Sequence, residues 1–335
     1  MAWIPIQSEQ RKKKFIQLFS FSSNSSTMEK QGHGHIPDDC WELTFKKMRQ
    51  DDERDWILYL WTRDLVSDKH ILLVAKALPP LKKLELVGFD FGDQYLEISL
   101  KLLLLACQLT LEELTLGSFP LTDTSISELA QHPSSLTFIE LDDCSVVTFY
   151  TLTKSCPLLE KLKMTLMRGQ GMDTFCLDYL LKNNRMWHLD ISSNTWLTDM
   201  NLQNFGQVSD VFGRYYVDLS VLNLKTLRTR RMQIDDEGMT MIGNRCLNLR
   251  YLDIGSCKKL TDEGVMEAVR NCQRLREINL FECKKVSSDI LHQMVLSRPS
   301  LRRIGLPRFD DLSEQMMKEF LSFGCWLSVP STELF

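Results

Sequence analysis

The side chains able to bind a metal, form a disulfide or act as a nucleophile are the ten cysteines and a few histidines, and their spacing decides among those roles. Cys144, Cys257 and Cys283 each lie eight residues after a leucine that opens an L-x-x-L-x-L frame. Cys156, Cys246 and Cys272 each lie three residues before the next such leucine. Cysteines tied to a repeat belong in its interior, as small buried groups and weak donors, so they are expected to be reduced in a reducing compartment, the nucleus or the cytoplasm. His33 and His35 near Cys40 supply three ligands without a fourth and without zinc spacing; the GHGH stretch reads as a linker and no metal is expected. His188 and His292 fall at repeat positions. No phosphate-cradling glycine loop, H-E-x-x-H or G-x-S-x-G occurs, so neither catalytic residues nor a cofactor are expected.

The elements that position these side chains repeat. From Leu249, LRYLDIGSCKKLTDEGVMEAVRNCQR is followed by LREINLFECKKVSSDILHQMVLSRPS, in register at a period of 26 residues. Leu249, Leu252 and Ile254 recur as Leu275, Ile278 and Leu280, and again as Leu301, Ile304 and Leu306. Leu252 and Ile254 alternate at period two, which makes a strand; Val265, Ala268, Val269 and Cys272 follow at helical spacing. Thr261 and Ser287 are expected to cap the helices, with Asp262, Glu263 and Asp289 beside the first-turn amides. One such unit cannot bury its apolar side alone, whereas stacked units share a continuous core.

These residues resemble the cysteine-containing leucine-rich repeats, whose L-x-x-L-x-L-x-x-C is followed by a T-D-x-G helix and a C-x-x-L step. The resemblance implies an α/β solenoid shaped as a horseshoe, with parallel strands on the concave face and helices on the convex face. Further frames open at Leu81, Leu111, Leu136, Leu159 and Met186. Beyond Ile191 the register blurs; Leu224-Leu227-Thr229 is preferred over Leu219-Leu222-Leu224, which leaves Val208 to Asp218 as an insertion or damaged repeat. About nine repeats are expected over residues 65–327, with 328–335 a tail. Leu312 to Leu321 reads as a last helix, and Phe323, Cys325, Trp326 and Leu327 as the cover of the open end.

Residues 1–31 read as a disordered basic and serine-rich leader, with an organelle transit peptide the competing reading. Between 32 and 64, IPDDCWELTFKKM carries a helix start at Pro37 and one apolar stripe of Trp41, Phe45 and Met48. It resembles the opening of an F-box, shortened, with Thr44 where that family prefers isoleucine and without the later part of the motif. The resemblance implies that Ile36, Pro37, Trp41, Phe45 and Met48 bind the Skp subunit, and through it a cullin, of a ubiquitin ligase. The chain as a whole looks like plant F-box proteins with such repeats.

The residues between the buried ones of each frame should line the concave face: Lys161, Lys163, Arg228, Arg230, Tyr251, Asp253, Glu277 and Phe281 are the expected contacts for a target protein. The central positive charge points to an acidic partner. A 335-residue chain with 44% hydrophobic and 25% charged residues can bury a sizeable core, while a net charge of -4 supplies no basic field for nucleic acid. No apolar run approaches the roughly 20 residues of a membrane helix. Two readings follow: a substrate-recruiting adaptor of a Skp-cullin ligase, or an interaction scaffold or inhibitor in which residues 36–64 only cap the solenoid.

Overall fold

Each frame forms a strand, a tight bend and the approach to the next helix. The computed structural model describes residues 14–19, 56–61, 68–77, 81–87, 96–107, 109–118, 135–143, 156–166, 185–194, 207–209, 215–217, 223–307 and 313–328; for 14–19, 56–61, 68–70, 77, 96–97, 207–209 and 215–217 only the backbone is described. The chain divides into two compact units, Met1–Leu159 and Glu160–Phe335.

In the first unit five strands run parallel in chain order: β1 (Lys14–Phe19), β2 (Trp56–Trp61), β3 (Leu81–Val87), β4 (Glu113–Gly117) and β5 (Phe138–Asp142). Helices α1 (Asp68–Ala77) and α2 (Leu96–Cys107) pack on each other. Leu84, Leu114 and Ile139 are register partners, as are Leu86, Leu116 and Leu141, and all six are fully buried. Each such leucine contributes about 2 kcal/mol of burial. Two strands depart from the sequence expectation. β1 lies within the stretch read as a disordered leader, and β2 within the stretch read as a helical motif; the WILYLW run pairs along β3 instead of coiling. The hook, Ile36, Pro37, Trp41, Phe45 and Met48, lies outside the described residues.

In the second unit the frames give β6 (Lys161–Thr165) and β7 (His188–Asp190). After β8 (Gln207–Ser209) and β9 (Tyr215–Val217) come β10 (Thr226–Arg228), β11 (Tyr251–Asp253), β12 (Glu277–Asn279), β13 (Arg303–Gly305) and β14 (Trp326–Ser328). β6, β7 and β10 through β14 form one parallel run. β8 and β9 pair antiparallel in a separate two-stranded sheet that begins one residue before the stretch read as an insertion and otherwise lies in it, and Leu224 and Leu227 are buried in the frame preferred above.

The helices of this unit are α3 (Asp236–Arg245), α4 (Asp262–Asn271), α5 (Ile290–Ser297) and α6 (Glu314–Ser322). Asp235 caps α3 by accepting from the Glu237 and Gly238 amides, and Thr261 caps α4 by accepting from Glu263. Ser287 does not cap α5. It accepts from the Asp289 amide 3.1 Å away, and the cap position is Asp289, whose helical backbone turns its carboxylate off the orphan amides. The C-x-x-L step closes as a turn: Leu249 N–H donates to Cys246, Leu275 to Cys272 and Leu159 to Cys156, at 3.0 to 3.1 Å.

At the C-terminal end Phe320 and Cys325 are fully buried, with Phe320 edge-on to His292 and Phe323. Of the expected cover, Cys325 is buried while Phe323 and Trp326 are exposed; the large apolar side chain buried here is Phe320 from α6. Among the described residues no helix is long and apolar enough to cross a membrane.

Seven of the described bends after strands share one backbone signature. Ser118, Asp143, Leu166, Ser193, Arg231, Ser256 and Glu282 all adopt a left-handed φ, between 51° and 63°, and each lies seven residues after its frame's first apolar residue. That conformation costs a non-glycine residue about 1 kcal/mol. In three of these bends the following residue offsets it by turning a donor back under the sheet. Cys257 Sγ donates to Thr229 O (3.3 Å), Cys283 Sγ to Ile254 O (3.1 Å) and Asn194 Nδ2 to Met164 O (2.6 Å), each reaching the preceding strand frame.

Candidate functional site

Strand register in the second unit sorts the expected contact residues into rows. Lys161, His188, Thr226, Tyr251, Glu277, Arg303 and Trp326 occupy one row. Lys163, Asp190, Arg228, Asp253, Asn279, Gly305 and Ser328 occupy the next but one, with the apolar row of Leu162, Leu189, Leu227, Leu252, Ile278, Ile304 and Leu327, buried in all but the last, between them. Arg230 and Phe281 follow past the strand ends. Neighbouring strands lie about 4.8 Å apart, so each row presents one side chain per strand.

Asp253 is the centre of this surface, and it is a support more than a contact. Only 4% exposed, it accepts from the Gly255 amide (3.1 Å) and Asn279 Nδ2 (3.0 Å), takes a hydrogen bond from Tyr251 Oη (3.3 Å), and lies 3.8 Å from Arg230 Nε. Burial pushes its carboxyl above the usual range despite the Gly255 amide, Arg230 and Asn279. Asp190 repeats the arrangement: it accepts from the Ser192 amide (3.1 Å) and lies 3.7 Å from Arg228 Nη1. Asn279 does so in its own strand, accepting from the Phe281 amide at 3.1 Å. In three frames, therefore, an Asp or Asn closes the strand end onto the amide two residues on.

Around those supports stand half-exposed groups. The Arg228 guanidinium lies 5.3 Å from the Tyr251 ring centre, within cation–π range. Burial, followed by the Asp253 charge, pushes the Tyr251 phenol up to about 12, so it stays a neutral donor. Lys161 Nζ lies 5.0 Å from the Trp187 ring, and Trp187 Nε1 donates to Glu160 at 3.4 Å. His188 is held below its ordinary value, first by burial and then by Arg228. Arg228 Nε and Arg230 Nε are buried with no hydrogen-bond acceptor among the described residues.

The structure thus brings together Lys161, Lys163, Arg228, Arg230, Tyr251, Asp253, Glu277 and Phe281 on neighbouring strands. It also adds Trp187, His188, Asp190 and Asn279, which occupy matching frame positions and were legible by the same register. It corrects the charge. Arg228 and Arg230 are each matched by a buried aspartate, so the centre of this surface is not a bare positive field.

The seven described cysteines are free and buried. Burial pushes the thiols of Cys107 and Cys272 up to about 12 and that of Cys283 up to about 11, which keeps them protonated. Among the described residues no group of three His, Cys, Asp or Glu is placed to hold a metal ion.

Together the frame, the parallel sheet and the helical layer define a leucine-rich-repeat-type solenoid. No family model and no curated protein matches the sequence. Among solved structures the chain is similar to one in the yeast Rad7 and Elc1 complex, at 16% identity over 89% of this chain and 94% of that one, with a TM-score of 0.42. It is similar also to chains of the TLR13–ssRNA13 complex (15% identity, 83% of this chain, TM-score 0.45) and of the Drosophila Toll–Spatzle complex (11%, 78%, 0.46), of whose lengths it spans 36% and 32%. Similarity at these levels identifies no family.

Proposed function

We propose that the chain is a non-catalytic interaction scaffold that binds a partner protein on the strand face of its second unit. The observation that supports this is the pair of in-register rows around Tyr251 and Arg228, where aromatic and guanidinium groups of the kind that dominate protein interfaces stand half-exposed over buried carboxylates that fix them. Lys161, Lys163, Arg228, Arg230, Tyr251, Glu277 and Phe281 form the contact surface, and Asp253 holds it. Buried, protonated thiols suit a chain at work in the nucleus or cytoplasm. Cross-linking capture with quantitative mass spectrometry tests the reading. Tyr251→Ala with Arg228→Ala should lower recovery of the bound protein at least tenfold with the unfolding transition retained, and undiminished recovery rejects it.

A second reading, adaptor of a Skp-cullin ligase, draws on one sequence observation: the F-box-like run Ile36, Pro37, Trp41, Phe45 and Met48 ahead of the repeats. It predicts co-purification with a Skp subunit, abolished by Trp41→Ala with Phe45→Ala while the solenoid stays folded. A chain that does not bind Skp is the scaffold alone.

A further inference from the structure

One residue ahead of β6, β7 and β10 through β13 runs another row: Glu160, Trp187, Lys225, Arg250, Arg276 and Arg302. Backbone bonds fix its register, because the amides of Lys225, Arg250, Arg276 and Arg302 donate in turn to the carbonyls of Trp187, Lys225, Arg250 and Arg276, at 2.7 to 2.9 Å. The last four are cations, all exposed, on consecutive repeats. They therefore stand about 4.8 Å apart in a strip about 14 Å long.

The first unit shows what neutralises this position. There the matching residues are Lys82, Glu112 and Thr137, and Lys82 Nζ meets Glu112 Oε1 at 2.5 Å. Among the four cations no acid stands; the row's one acid, Glu160, is two strands from Lys225 and accepts from Trp187 Nε1 at 3.4 Å. Arg250 and Arg276 make no ion pair among the described residues; Lys225 lies 6.0 Å from the Trp187 ring; Arg302 donates to the carbonyls of Pro299 and Leu301. The adjoining row adds one acid, Glu277, and one base, Arg303, which leaves the excess standing. Like charges this close repel, and an external anion relieves them.

We propose that this strip is a second docking surface, for a short extended acidic peptide segment of a partner protein. Guanidinium forks take carboxylates two bonds at a time, and a run of aspartates and glutamates at about 3.3 Å per residue supplies a carboxylate within reach of each cation. A polynucleotide fits less well. The chain carries a net charge of -4, Glu277 stands in the adjoining row and Glu160 in the strip's own row past Trp187, so a continuous phosphodiester meets repulsion beyond the strip.

The test is fluorescence anisotropy on the full chain at low salt, with labelled hexaglutamate, hexaglutamine and six-nucleotide single-stranded DNA as probes. Hexaglutamate should bind, weaken at least tenfold for Arg250→Glu with Arg276→Glu, weaken less for Arg250→Gln with Arg276→Gln, and fade as salt rises; hexaglutamine should not bind. Both substituted side chains, Arg250 and Arg276, are exposed, so unfolding transitions matching the parent confirm intact variants. Absence of hexaglutamate binding, binding unchanged in the charge reversal, or tighter binding of the DNA overturns the proposal. Because the strip shares no residue with the Tyr251 and Arg228 surface, its failure leaves that reading untouched.

Discussion

At the residue scale the informative group is Asp253, a carboxylate removed from water and surrounded by donors. Its folded pKa is raised above the unfolded value, mainly by burial, so the stability linked to its titration is fully present below the unfolded pKa and is lost as pH rises through the folded one. Asp253→Asn keeps an acceptor for the Gly255 amide and removes the buried charge. Measured at pH 4 and at pH 7, its stability relative to the parent should therefore be higher at pH 7, since only the parent loses stability as that carboxyl gives up its proton. Asp253→Ala leaves the Gly255 amide, Asn279 and the Tyr251 hydroxyl without their acceptor and Arg230 without its counter-charge, and should cost about 2 kcal/mol at pH 7. Denaturant unfolding at the two pH values checks both; an alanine variant as stable as the asparagine one would remove Asp253 from the centre of the site.

At the scale of the element, the T-D-x-G start of α4 is explained by contacts between neighbouring repeats. Asp236 Oδ1 accepts from the Thr261 amide (2.9 Å) and Oδ2 from the Thr261 hydroxyl (2.6 Å), and Asp262 Oδ1 accepts from the Ser287 amide (2.7 Å). Each first-turn aspartate thus ties its helix to the start of the next. Gly264 exists for that tie: a Cβ there would fall inside contact distance of Asp236 Oδ1 and 2.8 Å from Asp236 Cα. Gly264→Ala gains about 1 kcal/mol of helix propensity but overpacks the joint, for a net loss of about 1 to 2 kcal/mol in chemical denaturation. A stabilised Gly264→Ala would show the joint to be slack. The frame leucines, the cysteine interior and the cap at Thr261 were legible because each is a fixed residue type at a fixed phase. The left-handed residue at position eight was not, since Ser, Asp, Leu, Arg and Glu all fill it and only the backbone reveals it. The basic strip was legible in principle as the residue after each frame's first leucine, yet its meaning depends on which neighbours neutralise it, and that is a fact of register. The strand at Trp56–Trp61 was hidden because a short apolar run has no period to separate strand from helix.

At the scale of the whole molecule, a solenoid distributes its stability along the chain, since each repeat touches only its neighbours and an unpaired end repeat frays first. The second unit stops this at its C-terminal end with Phe320, which fills the space beside His292 while β14 pairs β13 through Ile304 and Leu327. The imidazole is tied in turn to Glu319, with Nε2 and Oε1 3.0 Å apart. Phe320→Ala removes the largest fully buried side chain of α6 and should cost about 3 to 5 kcal/mol. Because contacts are with adjacent repeats only, the loss should not spread evenly. Hydrogen exchange should accelerate strongly at Arg303–Gly305 and Trp326–Ser328, moderately at Glu277–Asn279, and little at Thr226–Arg228. The gradient follows from the linear stack, in which the penalty of an open end is passed from one interface to the next and shrinks at each. Uniform acceleration across all four strands would mean that the unit unfolds as one cooperative body, and Phe320 would then be a core residue like any other and not an end cap.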